Sequence, residues 1–520
     1  MNLIVEKHVP IAMRDGVTLS GDVYRTNDGE PRSTVLMRTP YCKDDPAHAN
    51  TWINVLRAVE SGWVVVVQDV RGRFRSEGHF VPFVNEADDG VDTIQWVREQ
   101  PWSDGKVGMV GGSYVGISQW LAAARNPEGL IGIVPAVTAD DVHSGWLYED
   151  NNVLLGFLAH WVSILLASSG MDEKTRPRIA ALERNVADGR IRTFHQLVEE
   201  AGEFAPYLQD WRDRSRSLVD PELAGLVEVP AFVIGGWFDI FLRGTVASFV
   251  RREAAGTQNP HDRLLVGPWA HGLMGGWFPA RSFGPGSSFD SLDPTSLQLG
   301  WLEEVRDGGN QSAPPVSVFS MGADEWRCFS SWPPQDAHRM QLQLRPNVVE
   351  SPKTSADDRH GFSLEPPVPT IGGRTFFPGY KVGANSGPRM LEAMHARKDV
   401  HTFVSDPLAD DIEILGTVAC RLEVASAGPT PVVVKLATLD GTGPSQLLCE
   451  GSSYSRPGGG SAESITVDLG STAIRIAKGT RLCAYVATSD FPRLEDGPRT
   501  FLNVCGDKGP VLELDVLRLG

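Results

Sequence analysis

Three residues of this chain have the types and settings that acyl transfer requires: a serine at a tight turn, an aspartate and a histidine. The serine is Ser113, within GKVGMVGGSYVGISQWLAAAR at 105–125. Lys106–Val110 is short and apolar, as a buried strand should be. Gly111-Gly112-Ser113-Tyr114 reads as the turn, and Val115–Arg125 places Ile117, Trp120, Leu121 and Ala124 on one helical face. Such a turn holds a serine in a strained backbone conformation that only small neighbours permit, with its hydroxyl clear of the strand. The following helix points its free N–H groups at the same place. Taken alone, the stretch also suits a phosphate cradle or a serine N-cap. The Walker lysine and the G-x-G-x-x-G spacing are both missing, which argues against a nucleotide.

A serine nucleophile needs a base to accept its proton and a carboxylate to orient that base. Of twelve histidines, His271 is the one well placed, in RLLVGPWAHG, directly after an apolar run. Asp239 lies upstream in PAFVIGGWFDIF, again just past an apolar run. Separately, Asp239 could cap a helix starting at Phe241, and His271 could be an ordinary turn histidine. The order serine, acid, histidine, each following a strand, is that of α/β-hydrolases.

The surrounding elements agree. Val5–Met13 and Val17–Tyr24 alternate about Arg14-Asp15-Gly16, a hairpin. Thr34–Arg38, Trp63–Asp69 and Leu130–Ala136 read as strands, and Asp89–Arg98 as a helix. The continuous apolar run at 63–67 marks a strand buried on both faces of a parallel sheet. Strands alternating with helices define a doubly wound α/β domain. Residues 141–220 break the pattern, with helices at Val153–Ala167, Lys174–Ala187 and Thr193–Ala201 and no convincing strand. Strands resume at Ala231–Gly235 and Arg263–Gly267, and Val316–Met321 closes this domain. After Trp332-Pro333-Pro334 short alternating runs appear: Gln341–Leu344, Glu413–Val424, Val432–Leu439 and Leu482–Thr488. Turns such as Pro457–Ser461 separate them, which predicts an all-β sandwich or jelly roll. The expected layout is therefore hydrolase domain at 1–140 and 221–335, helical cap at 141–220, and β domain at 336–520.

Composition bounds the partners. The 520 residues are 41% hydrophobic and 22% charged, enough for several cores without metal or disulfides. The formal charge of −17 argues against nucleic acid or an anionic membrane as partner. Six cysteines without a C-x-x-C pair read as small buried hydrophobes of a reducing compartment. The N-terminus lacks an apolar core of signal-peptide length, and the longest apolar run, Val153–Ser168, is too short to span a bilayer comfortably. A cytoplasmic enzyme is expected, acting on a small-molecule ester or amide; homo-oligomerisation stays open. His143 and His160 are not spaced as ligands and no H-E-x-x-H occurs, so no metal and no organic cofactor is expected.

The motifs RTPY at 38–41, QDVRGRFRSEG at 68–78, GGSYVG at 111–116, GGWFD at 235–239 and GPWAH at 267–271 run in order along the chain. FVSDPLADDIEILG at 403–416 and SDFPR at 489–493 continue them. Together they resemble the cocaine esterase / X-prolyl dipeptidyl-peptidase family of serine hydrolases over nearly the whole chain. In that family the elbow glycine falls one place later than usual, which accounts for Val115 and Gly116. The resemblance implies an α/β-hydrolase domain, an inserted helical cap and a C-terminal jelly roll. It implies Ser113, Asp239 and His271 as the triad, with the Tyr41 hydroxyl and the Tyr114 backbone N–H as the oxyanion hole. Asp69 and Arg71 belong to a structural motif, read as a buried ion pair or loop brace. Phe74 departs from the family by standing where many relatives carry glycine.

The resemblance also bears on substrate. Family members that select a free α-amino group carry acidic residues just after the triad aspartate or elsewhere as a carboxylate cluster. Here Ile240-Phe241-Leu242 follow Asp239, a departure toward the acyl esterases with apolar pockets. Phe241, Trp161 and Phe157 are the candidate pocket residues, although the two cap residues suit a core equally well. Glu149 and Asp150 could still supply charge from the cap, which keeps an amide- or peptide-cleaving activity open. An acyltransferase, or a non-catalytic binding protein on the same scaffold, are the other readings. Relative to the longer dipeptidyl-peptidases, the chain begins directly with the hydrolase strands.

Overall fold

A computed structural model describes residues 2–518 except 168–172, 174, 214–222, 310–312, 347–366, 377–384, 396, 427, 440–444, 457–461, 498–501 and 506–508. Ser168, Lys174 and the expected Pro457–Ser461 turn thus lie outside the described residues.

Among the described residues, ten strands form one sheet: β1 (Leu3–Ala12), β2 (Thr18–Thr26), β3 (Arg32–Thr39), β4 (Val64–Asp69), β5 (Ser103–Gly112), β6 (Leu130–Ala136), β7 (Phe232–Phe238), β8 (Arg263–Ala270), β9 (Val316–Ser320) and β10 (Glu325–Phe329). Their order is β1-β2-β4-β3-β5-β6-β7-β8-β9-β10. The centre, from β4 to β9, is parallel. The β1–β2 hairpin flanks it antiparallel. The apolar run of β4 explains its place: Val64 and Val66 enter the core on one face, Val65 and Val67 the core on the other. Two expectations are corrected. β9 is not the last strand of this domain, because the partly exposed, charged β10 pairs antiparallel with it at the edge. β5 also runs through Gly111 and Gly112, so the turn is confined to Ser113.

The cap inserted after β6 contains the helices Leu155–Ala167, Thr175–Ala187 and Phe194–Ala201. The last starts at a capping box between Thr193 and Gln196. The stretch is not free of strand: Tyr148–Glu149 pairs with Asn152–Val153 across Asp150 and Asn151, both at positive φ. Leu155–Ala167 is apolar on nearly all sides because it is buried on nearly all sides. No helix among the described residues is long and apolar enough to cross a membrane.

The C-terminal strands are antiparallel throughout and enclose a second core that includes Leu344, Ile414, Val434 and Val516. His338–Pro346 pairs with Val511–Arg518 along its first part and with His401–Ser405 at its end, joining the two halves of this jelly-roll-type domain. Cys420, Cys449 and Cys483 are buried in it, as expected of small hydrophobes. Cys42 is half-buried and Cys328 is exposed, which corrects that reading for these two.

A buried ion network fastens cap to β domain. Arg493 reaches Glu149 Oε2 at 3.0 Å and Asp490 at 2.6 Å, and Lys435 reaches the same Asp490 oxygen at 3.2 Å. Glu149 also accepts from Ser452 Oγ at 2.8 Å. Near Arg493 the Glu149 carboxyl is held well below the usual carboxylate range, against the opposing cost of burial.

Candidate active site

Ser113 sits at φ 58° and ψ −128°, between the end of β5 and the helix Tyr114–Ala123. An L-residue is strained there, and the neighbouring glycines show what the strain requires. A Cβ on Gly111 would lie 2.3 Å from Val115 Cγ1, and one on Gly112 would lie 2.0 Å from the Trp52 ring. At Gly116 it would lie 2.6 Å from Thr138 Cγ2. The elbow glycine therefore falls at 116 because that position meets the chain leaving β6, whereas Val115 packs over Gly111.

His271 follows β8 directly, and Asp239 follows β7 directly. Parallel neighbours end at the same sheet edge, so the two side chains and Ser113 converge. His271 Nδ1 lies 2.8 Å from Asp239 Oδ2, and His271 Nε2 lies 3.2 Å from Ser113 Oγ. Asp239 is fully buried, and its other oxygen accepts from the Phe241 N–H at 2.7 Å. Asp239 is not the helix cap: the helix begins at Leu242 with Phe241 at its N-cap position, and Asp239 braces the turn before it with one oxygen while the other meets His271.

Tyr41 stands just past β3 at the same edge. Its hydroxyl accepts from Trp161 Nε1 at 3.1 Å and is within hydrogen-bonding reach of the Ser113 side chain. Burial raises the Tyr41 phenol above its ordinary range, so it remains a neutral donor. The Tyr114 side chain points elsewhere. Its hydroxyl donates to Glu86 at 2.8 Å and accepts from the Phe83 N–H at 2.9 Å. Only the Tyr114 main chain, at the first turn of its helix, is left to face the serine.

The expected pocket residues are brought together. Phe241 meets the His271 ring edge-on at 5.1 Å, and Trp161 touches Tyr41. Phe157 is one layer out, stacked on Trp161 at 5.9 Å and against Phe241 at 5.3 Å. Sequence reasoning missed Trp146, Phe83 and Trp211, which complete the aromatic cluster. Trp146 stacks on Phe241 at 4.2 Å, and Phe83 and Trp211 each lie 5.6 Å from Trp161. It also missed Phe376 of the β domain, whose ring lies 5.0 Å from that of His271.

Other expectations change. Glu149 is committed to Arg493 and Ser452, and Asp150 is exposed, so Glu149 is not a spare charge for the site. Arg71 and Asp69 are not paired with each other. Arg71 binds Asp89 and Asp15, whereas Asp69 accepts from the Lys43 N–H at 2.8 Å. Phe74 has φ 47° and is 40% exposed, which explains why glycine suits that place. His8, Asp22 and Asp44 cluster closely enough to hold a cation. The Lys43 ammonium already fills the cluster, 2.8 Å from His8 Nδ1 and 3.0 Å from Asp22.

A doubly wound sheet that presents a strained serine in line with a histidine and a buried carboxylate is the framework of an α/β-hydrolase. Residues 15–273 match the X-Pro dipeptidyl-peptidase (S15) family, and residues 308–501 match the X-Pro dipeptidyl-peptidase C-terminal non-catalytic domain. The chain is 30% identical to cocaine esterase of Rhodococcus sp. (strain MB1 Bresler), over 96% of this chain and 93% of that one. Similar folds include an aminopeptidase from a marine sediment Thaumarchaeota archaeon (TM-score 0.75, 19% identity, 99% of this chain and 97% of that one). An α-amino acid ester hydrolase also shares the fold (TM-score 0.69, 21% identity, 99% and 95% covered). The chain belongs to the cocaine esterase / X-prolyl dipeptidyl-peptidase family of serine hydrolases.

Proposed function

We propose that this enzyme hydrolyses carboxylic esters with a neutral, apolar acyl group through a Ser113 acyl-enzyme. The observation that carries the reading is the unbroken line Asp239–His271–Ser113, at 2.8 and 3.2 Å. His271, oriented by Asp239, takes the Ser113 proton as Oγ attacks the ester carbonyl. The Tyr41 hydroxyl and the Tyr114 N–H donate to the oxyanion. His271 protonates the leaving alcohol, and water attacks the acyl-enzyme in the reverse sense.

The preference for an ester of a neutral acid follows from what borders the site. Phe241, Trp161 and Trp146 are aromatic, and the buried cap carboxylate Glu149 is neutralised by Arg493. A substrate ammonium would have to be desolvated there, and Glu149 is already committed to Arg493 and Ser452. Similarity to a protein named cocaine esterase supports the same direction. The test is a panel of p-nitrophenyl esters and anilides of matched acids, with and without an α-amino group, on wild type and Ser113→Ala. Ser113-dependent turnover favouring esters of neutral acids is expected. Faster cleavage of α-amino anilides would replace this reading by an aminopeptidase.

A further inference from the structure

Arg73 is a buried guanidinium that the mechanism above does not use. It is 2% exposed and lies 5.1 Å from the centroids of both the Phe74 and Phe80 rings. Two of its hydrogen bonds go to main-chain carbonyls: Nε to Pro40 O at 3.0 Å, and an Nη to Leu165 O at 2.8 Å. Pro40 immediately precedes Tyr41. Leu165 lies in the last turn of Leu155–Ala167, where carbonyls lack intrahelical donors and a cation is favoured. Trp161, whose indole donates to the Tyr41 hydroxyl, is one turn earlier on the same face of that helix.

The contacts close a circuit: Tyr41 hydroxyl to Trp161, Trp161 along the helix to Leu165, Leu165 to Arg73, and Arg73 to Pro40 beside Tyr41. The phenol is held at its tip by the cap helix and at its root by a cation bound to the same helix. We propose that Arg73 is a positioning residue for the oxyanion hole, one that sets the Tyr41 hydroxyl by tying the chain just past β3 to the cap. The inference rests on the role given to Tyr41 above. The positive charge of Arg73 also favours negative charge at the phenol, in the sense that makes it a better donor. Lysine keeps the charge but not the planar fork that reaches two carbonyls at once.

The test is a double-mutant cycle of Arg73→Met and Tyr41→Phe, read as kcat and KM on a p-nitrophenyl ester. Misplacing a reacting group by about 1 Å costs on the order of 10² in rate. Arg73→Met should therefore lower kcat by about 30- to 100-fold with KM little changed. In the Tyr41→Phe background the same substitution should cost less than about threefold, since the hydroxyl it positions is gone. Arg73→Lys, expected to lose about tenfold in kcat, carries the same cycle if the methionine variant lacks a native circular dichroism spectrum. A loss of equal size in both backgrounds, or no loss in wild type, would overturn the proposal. Hydrolysis that survives Ser113→Ala would instead overturn the acyl-enzyme reading, whatever Arg73 does.

Discussion

Replacing Tyr41 by phenylalanine removes a single oxygen from the site and little else. The ring can stay where it is, because Arg73 still holds the Pro40 carbonyl beside it. The lost hydroxyl is the proposed donor to the oxyanion and the acceptor of the Trp161 indole at 3.1 Å. An oxyanion-hole donor is typically worth about 10²–10³ in kcat, or roughly 3–4 kcal/mol of transition-state stabilisation. The ground-state ester carbonyl gains much less from it, so KM should change by less than about threefold. Stability should fall as well, since Trp161 is 3% exposed and its N–H loses this partner, at a cost of about 1–3 kcal/mol. The assay is steady-state hydrolysis of a p-nitrophenyl ester, with thermal unfolding of both proteins. Because burial raises the Tyr41 phenol above its ordinary value, the ratio of wild type to variant should be flat between about pH 6 and 9. A kcat loss under about fivefold would show that Tyr41 does not stabilise the oxyanion, and the hole would need another donor.

Asp239→Asn should lower kcat by about 10⁴ in the same assay, because an amide cannot hold the imidazole in the required tautomer or stabilise its cation. Arg493→Met should destabilise the enzyme by about 3–5 kcal/mol in denaturant unfolding, since Glu149 and Asp490 lose a buried counter-charge. Burial raises the Asp69 carboxyl from 3.8 to about 6, with the nearby Lys43 opposing the rise and Asp44 adding to it. The folded protein therefore holds this proton more tightly than the unfolded chain. That contribution to stability is full below about pH 4 and is lost as pH rises through about 6, a change of roughly 3 kcal/mol. Asp69→Asn should flatten this part of the stability–pH curve, measured by urea unfolding at half-unit steps.

What could be read from the sequence was whatever depends on neighbours along the chain. The four-valine run of β4 declares a strand buried on both faces, and the residues just past β7 and β8 fall at one sheet edge by topology alone. Asp239 and His271 were therefore findable before their 2.8 Å contact was seen. Edges were harder. β10 is short, charged and half-exposed, so it lacks the apolar pattern that marks an inner strand. Contacts across domains left no local trace. Glu149 reads as a free cap charge until Arg493, 344 residues away, is seen to neutralise it. Phe376 reaches His271 from the β domain, and Phe83 enters the aromatic cluster at φ 72°, a conformation no pattern of apolar residues foretells. Arg73 lay inside a recognised motif, yet only its distances to Pro40 and Leu165 show what it holds.

The central claim is that Ser113 is an activated nucleophile. Fluorophosphonate labelling of wild type beside Ser113→Ala, with mass mapping of the adduct, addresses it directly. One adduct is expected, on Ser113, absent from the variant and suppressed in His271→Ala. An adduct on another residue, or equal labelling of the Ser113→Ala protein, would contradict it.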